Sequence, residues 1–266
     1  MILEKGHSVH LDKEHVAGCF RASAATYEKS AIVQKEISRQ LIAIIKQFSN
    51  VDYSRVLEIG CCTGNLTEML SGSAPIDNLF INDLVPDFCT FTEERIAEQV
   101  GQVHALPGDI EKTVLPRNLD LVISSSTFQW MLDLPGLMGN IASALNDEGH
   151  LAFSIFSPGT MGEIKALTGR GLRYHANEEL AAMLADHFQL LSIHSETRQL
   201  FFPSVRAILR HIRLTGVGGL ERNTWNFRKL KDFERQYVGQ YLSEDGLPVT
   251  YVSTFVIAEK KKKGGS

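Results

Sequence analysis

The sequence lacks the features that mark several common functional classes. It contains no apolar run near the ~20 residues that a membrane-spanning helix needs, and its first fifteen residues carry charges and histidines where a signal peptide would have an apolar core. The net charge of -4 is small and of the wrong sign for a general nucleic-acid binder. We therefore expect a cytoplasmic protein that binds neither membranes nor nucleic acid.

Cysteine is scarce, and no motif in the sequence would hold a metal. The four cysteines suit a reducing compartment and none has zinc-ligand spacing; they are Cys19, Cys61, Cys62 and Cys89. We also find no recognisable pair of nucleophile and general base, and no phosphate loop of the G-x-G-x-x-G or lysine-bearing type. The sequence therefore predicts no metal site, and a dinucleotide or ATP is a less favoured ligand.

The sequence does contain alternating strand and helix patterns over most of its 266 residues. Two helical patterns, at 14–27 and 31–48, precede the first strand. Apolar or β-branched runs then predict strands at 55–59, 78–82, 102–105, 119–124, 149–156, 189–194 and 249–257. Helical patterns separate several of these runs, so we predict an α/β fold with a mainly parallel sheet and helices on both faces.

The regular alternation fails after residue 156, and this irregularity sets our division into domains. We assign residues 1–50 to N-terminal helices that cover the ligand site, and 51–201 to the ligand-binding α/β core. Residues 202–246 are predicted to form a helical insert that lies over the carboxyl ends of the strands as a lid. Residues 247–259 form the closing strand, and the lysine-rich residues 260–266 form a solvated tail.

The stretch from Arg55 to Thr67, RVLEIGCCTGNLT, is the most informative part of the sequence. An apolar strand stops at Gly60, a tight turn follows, and a helical run begins at Asn65. In an open α/β sheet, ligands bind at such a turn, outside the carboxyl end of the strand. Glycine lets the backbone approach a bound nucleoside closely. We interpret the stretch as a nucleoside-binding turn of a methyl-donor site; a tight turn without a ligand is the alternative.

Two carboxylates follow later strands at positions that suit a nucleoside. Asp83 comes after the second predicted strand, where a carboxylate accepts hydrogen bonds from two ribose hydroxyls. Alternatively, Asp83 is an acid at the start of the helix that begins near Pro86. Asp109 follows the third predicted strand and would accept a hydrogen bond from an adenine amino group, with Ile110 packing near the ring. A plain surface turn is the alternative for Asp109.

Polar and aromatic residues follow the fourth predicted strand in the run LDLVISSSTFQWM, residues 119–131. The polar part begins at Ser124 and Ser125 and ends with Gln129 and Trp130. Packing alone explains such residues poorly at the carboxyl end of a strand, although Trp130 as a core anchor is the alternative. We predict that this strand end completes the ligand site.

The pattern Glu58-x-Gly60-x-Cys62-x-Gly64 resembles the first motif of class I S-adenosylmethionine-dependent methyltransferases, which usually has glycine where Cys62 stands. Cysteine is small enough for the turn, but a positive φ there would cost about 1 kcal/mol. The resemblance implies the Rossmann-like sheet of that class, mostly parallel with an antiparallel last strand. It also implies S-adenosylmethionine as the cofactor.

Over nearly its whole length the chain resembles the malonyl-acyl-carrier-protein O-methyltransferases of biotin synthesis. The discriminating segments are FRASAATY near the start and, after residue 124, SSTFQWM, FSIF with GTM, LRHIR with TG, and PVTY. The resemblance implies methyl transfer to the free carboxylate of a malonyl thioester. That acceptor is ionised at neutral pH, since a carboxyl pKa is about 4, so neither a general base nor a metal is required. The implied partner is malonyl-acyl carrier protein, with malonyl-CoA as the alternative.

The resemblance also assigns roles to single residues. The predicted donor-binding residues are Arg21, Tyr27, Glu58, Gly60, Cys61, Cys62, Thr63, Gly64, Asp83, Leu84, Asp109, Ile110, Ser124 and Ser125. Among them, Tyr27 would lie at the methionyl end of the donor and Arg21 near its carboxylate. The residues themselves suggest what would hold the acceptor carboxylate, namely donors at the end of the fourth strand and on the insert helix, so the predicted catalytic residues are Gln129, Trp130 and Arg210. Further basic residues of the insert would attract an acidic carrier protein or form a solvated helix face: Arg206, Arg213, Arg222, Arg228, Lys229 and Lys231.

Two other functions are compatible with the sequence. The donor site could serve methylation of another small carboxylic acid or of a quinone-like precursor. Alternatively, Cys62 has spoiled the turn, and the domain is a non-catalytic binding module. Methyl transfer to malonyl acceptors separates the first alternative from the leading hypothesis, and titration with S-adenosylhomocysteine tests the second.

Overall fold

The computed structural model of the chain describes residues 11–48, 53–216 and 226–262. Its strands, in chain order, are β1 (Arg55–Ile59), β2 (Asn78–Asp83), β3 (Gln102–Pro107), β4 (Leu119–Ser125), β5 (Leu145–Phe156), β6 (Phe188–Phe202) and β7 (Leu247–Lys260). They form one sheet in the order β3-β2-β1-β4-β5-β7-β6. Strands β1 to β5 pair in parallel, and β7 runs antiparallel to β5 and β6.

Helices connect the strands and precede the first one. They are α1 (Lys13–Ser30), α2 (Ile32–Phe48), α3 (Asn65–Ser71), α4 (Pro86–Ile96), α5 (Leu134–Ala144), α6 (Gly162–Thr168), α7 (Asn177–Leu184), α8 (Val205–Leu214) and α9 (Phe227–Tyr241). Within the described ranges, none of these helices combines the length and the apolar character needed to cross a bilayer.

Alternate residues of the central strands enter two apolar layers, one on each face of the sheet. On one face, Val56 of β1 belongs to the same buried cluster as Leu41 of α2. On the other face, Leu57 and Val122 pack in a cluster with Ile141 of α5. Because both faces are covered, the central strands are nearly continuous apolar runs in the sequence.

The direction of strand addition reverses between β1 and β4. From β1 the chain adds β2 and then β3 on one side, whereas β4 and β5 lie on the other side. At such a reversal, the connections leave the carboxyl ends of two neighbouring strands in opposite directions and open a crevice between them. Gly60 follows β1 and Ser126 follows β4, so the turn identified in the sequence lies at this crevice.

The predicted fold class is confirmed, including the mostly parallel sheet and the antiparallel last strand. All seven predicted strands occur, but β6 is much longer than the predicted 189–194. It pairs with β7 from Phe188, opposite Lys260, to Phe202, opposite Leu247. Much of its added length is exposed, which is why no apolar pattern marked it.

Helices α8 and α9 form the insert between β6 and β7. Strand β6 runs in the same direction as β5, since both are antiparallel to β7. The insert therefore leaves the sheet on the side where the parallel strands have their carboxyl ends, which is where the lid was expected. The end of α8 abuts α1: Thr26 Oγ1 donates to the carbonyl of Leu214 at 3.3 Å. A Cβ on Gly216 would come within 2.7 Å of the Phe20 ring. The residue boundaries of the five proposed segments remain a prediction.

Candidate active site

A cavity lies at the carboxyl ends of β1, β2 and β4, and helix α1 covers it. Predicted donor or catalytic residues in its wall are Tyr27, Gly60, Cys62, Asp83, Leu84, Asp109, Ile110, Ser125 and Trp130. Segments that are far apart in the sequence therefore meet at the reversal point of the sheet. The cavity is the candidate site for the predicted nucleoside.

The turn after β1 is held by its backbone amides. Gly60 has a φ of 80° and Gly64 a φ of 77°, a left-handed conformation that glycine adopts without penalty. The amides of Gly60 and Cys61 both donate to the carbonyl of Asn82, at 2.8 and 2.9 Å. Cys62 also has a positive φ, 47°, so the conformational cost foreseen for cysteine at this position is present.

Asp83 ends β2 and directs its carboxylate at the turn. Oδ2 accepts a hydrogen bond from the amide of Cys62 at 2.9 Å, and Oδ1 accepts one from the amide of Val85 at 2.8 Å. The side chain is only 8% exposed, and burial raises the pKa of Asp83 to about 6 despite these two bonds. A carboxylate has about four lone-pair sites, so Asp83 can still accept two further hydrogen bonds.

Asp109 lies in the loop that follows β3 and joins that loop to the start of α1. Lys13 Nζ lies 2.5 Å from Asp109 Oδ1, and it also bonds to the carboxylate of Glu111. The other oxygen, Oδ2, has Lys112 Nζ at 3.9 Å. One oxygen of Asp109 is therefore engaged by an ion pair across the cavity, and the other retains the capacity to accept from a ligand.

The other end of α1 is tied to the glycine turn. The Tyr27 hydroxyl lies beside the Cys62 thiol, and burial together with this proximity raises the pKa of Tyr27 well above its usual value. The carboxylate of Glu28 accepts from Thr63 Oγ1 at 2.8 Å and lies 3.5 Å from Arg95. Contacts at both of its ends thus hold α1 over the cavity.

The end of β4 presents hydroxyl groups to the cavity. Ser125 Oγ accepts a hydrogen bond from Ser154 Oγ at 3.0 Å. Ser126 has a φ of 56°, and its buried hydroxyl has no partner within the described residues. Thr127 stands over the glycine turn, since a Cβ on Gly60 would lie 2.1 Å from Thr127 Oγ1. The backbone of Gly60 therefore fits against β4 only because a side chain is absent.

Gln129 and Trp130 belong to the short 3-10 helix Phe128–Trp130 that follows β4. Trp130 is 6% exposed, lines the cavity and meets the ring of Phe20 edge-on at 5.7 Å between centroids. Gln129 Nε2 donates to the carbonyl of Ser126 at 2.6 Å, and its Oε1 is buried without a partner in the described chain. Trp130 therefore borders the cavity, and Gln129 lies just behind its wall.

Four predicted donor residues occupy supporting positions outside the cavity wall. Ser124 Oγ donates to the carbonyl of Ile59 at 2.8 Å and so joins β4 to β1. Thr63 bonds to α1, and Gly64 caps the start of α3. Arg21 is exposed on α1, and its guanidinium lies 3.7 Å from Asp87.

Glu58 and Cys61 lie beneath the turn, in the protein interior. Glu58 is 1% exposed, and neither carboxylate oxygen has a hydrogen-bond partner among the described residues. Burial raises its pKa to about 7; nearby Thr67 opposes this shift, and Asp83 adds to it. The Cys61 thiol adjoins Cys89, and this contact together with burial raises the pKa of Cys61. In the described ranges, no group of three or more His, Cys, Asp or Glu side chains is arranged to hold a metal ion.

Arg210, the predicted acceptor arginine, is exposed on α8 and does not line the cavity. The apolar side of this helix faces inward, with Val205 and Ile208 buried. The next residue, His211, faces inward, and its Nε2 lies 2.9 Å from the hydroxyl of Tyr251. Arg210 therefore lies on the exposed side of α8 and does not belong to the cavity wall that contains Trp130.

Several cavity residues were missed from the sequence: Lys13, Phe20, Phe88, Ser126 and Thr127. Ser126 and Thr127 directly follow two predicted donor positions and could have been included on that ground. Lys13, Phe20 and Phe88 are ordinary amphipathic-helix residues, and no local pattern distinguishes them from core or surface positions.

We predict that Cys62→Gly has little effect. Glycine removes a left-handed conformational cost of about 1 kcal/mol, but it adds a comparable entropy cost in the unfolded chain and loses the contact with Tyr27. Calorimetric titration with S-adenosylhomocysteine should show an affinity within about threefold of wild type. Thermal unfolding should show little change in stability. A gain of tenfold or more would instead show that cysteine strains the turn.

Comparison with known proteins assigns the chain to a family. The methyltransferase-domain family matches residues 57–151. Malonyl-[acyl-carrier protein] O-methyltransferase of Acinetobacter baylyi is 36% identical over 257 residues, which cover 95% of this chain and 98% of that protein. The protein of the same name from Chlorobium phaeovibrioides is 35% identical, covering 94% of this chain and 98% of its own.

A solved structure with the same fold is the N-methyltransferase NodS from Bradyrhizobium japonicum, in complex with S-adenosyl-L-homocysteine. It has a TM-score of 0.52 at 14% identity, and the match covers 85% of this chain and 87% of that one. Fold and near-full-length sequence similarity agree, and this chain belongs to the malonyl-[acyl-carrier protein] O-methyltransferase family.

Proposed function

We propose that this protein transfers the methyl group of S-adenosylmethionine to the free carboxylate of a malonyl thioester, forming its methyl ester in biotin synthesis. The observation that carries the proposal is similarity to proteins of that name over 95% of the chain, including the insert. The cavity at the strand reversal supports it, because this is where an α/β sheet binds a nucleoside.

The residues of the cavity fit S-adenosylmethionine. Asp83 retains two acceptor positions, which match the two hydroxyls of a ribose. Leu84 and Ile110 supply apolar wall for an adenine ring, and the free oxygen of Asp109 suits its amino group. Gly108 leaves open space where a side chain would otherwise stand.

When bound, S-adenosylmethionine supplies a sulfonium-activated methyl group that needs neither metal nor general acid. The protein then contributes position and exclusion of water. Asp83 would fix the ribose, and Tyr27 and the glycine turn would hold the methionyl end. Helix α1, attached at Lys13 and at Glu28, would close the cavity above them.

On the acceptor side, Trp130 borders the cavity at the end of β4 and is the predicted catalytic residue best placed to meet the reacting carboxylate. Gln129 supports the same strand end through its bond to the carbonyl of Ser126. A carboxylate that arrives ionised requires no base, so these groups need only orient it toward the methyl group.

We further propose acyl carrier protein rather than coenzyme A as the preferred carrier. The insert exposes Arg210, Arg213, Arg228, Lys229 and Lys231, and Arg206 pairs with Glu234 at 3.1 Å. Arg222, also assigned to this set, lies outside the described residues. Such a basic surface at the carboxyl edge would attract an acidic partner and steer its thioester toward the cavity.

The experiment is methyl transfer from labelled S-adenosylmethionine to malonyl-acyl carrier protein, malonyl-CoA and free malonate, with an acetyl thioester as the control that lacks a carboxylate. We expect label in the malonyl thioesters, most rapidly with the carrier protein, and a mass gain of one methylene on the malonyl group. Failure to label any malonyl acceptor, by protein that binds S-adenosylhomocysteine, would overturn the proposed substrate and leave the donor site in place.

A further inference from the structure

A cluster of buried phenol and imidazole groups lies between the insert and the sheet, beside the donor cavity. Tyr251 of β7 is 2% exposed, and its hydroxyl lies 2.9 Å from Nε2 of His211 on α8. Tyr174, in the segment before α7, packs both in the apolar cluster that contains Tyr251 and in the cluster around Trp130. Tyr174 thus connects the cavity wall to the His211–Tyr251 pair.

Tyr251 lies beyond the carboxyl end of β5, on the side where an acceptor would approach. Phe156, the last residue of β5, pairs with Ser253, so Tyr251 extends past it along β7. The rings of Phe156 and Tyr251 lie 5.8 Å apart. Trp130 follows the adjacent strand β4, so both side chains stand above the same edge of the sheet.

The backbone around Tyr251 is fixed on both sides by the segment that follows β5. The amide of Met161 donates to the carbonyl of Thr250 at 2.7 Å. Thr160 Oγ1 both donates to the carbonyl of Val252 at 2.9 Å and accepts from its amide at 3.0 Å. A side chain held this firmly keeps one orientation, as a ligand-binding group requires.

The cluster presents neutral hydrogen-bond donors. Burial raises the pKa of Tyr174 and of Tyr251, so both phenols keep their protons. Burial also lowers the pKa of His211, which favours the neutral imidazole. When His211 donates from Nε2 to the Tyr251 oxygen, the Tyr251 O–H is free to donate elsewhere.

Neutral donors suit an attacking carboxylate better than an arginine does. A guanidinium binds both oxygens in a bidentate ion pair and so withdraws the electrons that must attack the methyl group. A phenol engages one oxygen with one hydrogen bond and leaves the other to react. The one carboxylate that we find beside Tyr251 among the described residues, Glu163, is already bonded to the amide and hydroxyl of Thr250.

We propose that the hydroxyls of Tyr174 and Tyr251, the latter oriented by His211, bind the acceptor carboxylate and give this enzyme its requirement for a malonyl group. This inference rests on the proposed function and replaces Arg210 as the acceptor-binding side chain. Tyr174 and Tyr251 would touch the substrate, whereas His211 is a positioning residue.

The test compares Tyr174→Phe and Tyr251→Phe with Tyr241→Phe, the same substitution on α9, where the ring packs against Tyr237. We expect KM for malonyl-acyl carrier protein to rise by about 10- to 100-fold in the first two variants, the loss expected for one hydrogen bond to a charged group. Affinity for S-adenosylhomocysteine should stay within about twofold, and Tyr241→Phe should match wild type.

If the cluster had a purely structural role, folded variants would keep the wild-type preference for a thioester that carries a carboxylate. Malonyl-CoA and acetyl-CoA, compared as inhibitors of the carrier-protein reaction, measure recognition of the carboxylate itself. We expect wild type to prefer malonyl-CoA and Tyr251→Phe to lose most of that preference, with His211→Gln retaining part of it through its amide. An unchanged preference in folded variants overturns the inference, and so does loss of preference in Arg210→Gln alone. Wild-type protein inactive on every malonyl acceptor would instead count against the proposed function.

Discussion

Asp83→Asn is expected to weaken binding of S-adenosylhomocysteine by about 100-fold at pH 8, because two hydrogen bonds to a charged acceptor are replaced by weaker ones. The carboxylate also accepts hydrogen bonds from the backbone N–H groups of Cys62 and Val85. In the asparagine variant, the side-chain NH2 would face one of these two N–H groups. Asp77→Asn, which directly precedes β2 at the end away from the cavity, is the matched control and should bind as wild type does. Calorimetric titration measures both.

The same carboxylate should make donor binding depend on pH. Burial raises the pKa of Asp83 to about 6, so the empty site becomes protonated below that pH. Ribose hydroxyls donate to the ionised form, hence wild-type affinity should fall by about tenfold per pH unit below pH 6 and level off above it. Glu58 titrates nearby with a pKa of about 7, but it does not line the cavity. A pH dependence that persists in Asp83→Asn would therefore assign the effect to Glu58 and contradict this prediction.

The sequence identified the fold because its central strands carry their own signal. Strands β1 and β4 and the second half of β5 are mostly apolar on both faces, and each is followed by small or polar residues that mark the carboxyl ends of the strands. Asp83, which lines the cavity, comes at the end of a strand whose pattern was clear, whereas Asp109 follows the weaker pattern at 102–105 and was placed by its order in the series of strand ends. Periodicity and strand ends therefore sufficed to place the cavity.

The edge strand and the second insert helix were harder to recognise. The outer half of β6 carries the sequence SETRQ, which is exposed and becomes a strand only because β7 pairs with it. Helix α9 buries Phe233 and Tyr237, but charged residues make up much of its first half, and its apolar residues Phe227 and Val238 are exposed. In both cases a long-range partner, not local composition, determines the structure.

Contacts between distant helices and loops were not visible in the sequence. Lys13 reaches Asp109 from 96 positions away, and nothing near either residue indicates the pair. On α8, Val205 and Ile208 are recognisable apolar residues at helical spacing, but the sequence did not show whether Arg210 or His211 faces the sheet. That choice depends on Tyr251, which occupies the space beside α8 from a different strand.

Gly60→Ala should be the most damaging single-methyl change in the site. Gly60 has a φ of 80°, which costs alanine about 1–2 kcal/mol. The new Cβ would also lie 2.1 Å from Oγ1 and 2.6 Å from Cγ2 of Thr127, so the turn must move away from β4. Overpacking of this kind adds about 1–3 kcal/mol. We expect unfolding free energy to fall by about 2–5 kcal/mol and donor affinity to fall at least about tenfold, because the displaced turn carries Cys62 away from Asp83.

Two comparison variants separate conformation from crowding. Gly169→Ala carries only the conformational cost, since Gly169 has a φ of 68° at the end of α6 and a Cβ added there would meet no atom within 4 Å. It should lose about 1–2 kcal/mol and bind the donor normally. Combining Gly60→Ala with Thr127→Ala removes the two atoms closest to the new Cβ and should recover part of the lost unfolding free energy. Denaturant unfolding of the two single variants and the double variant measures this coupling as the departure from additivity. Additive effects would show that Thr127 does not confine the turn, and the tight fit of β1 against β4 would then have no role in shaping the donor site.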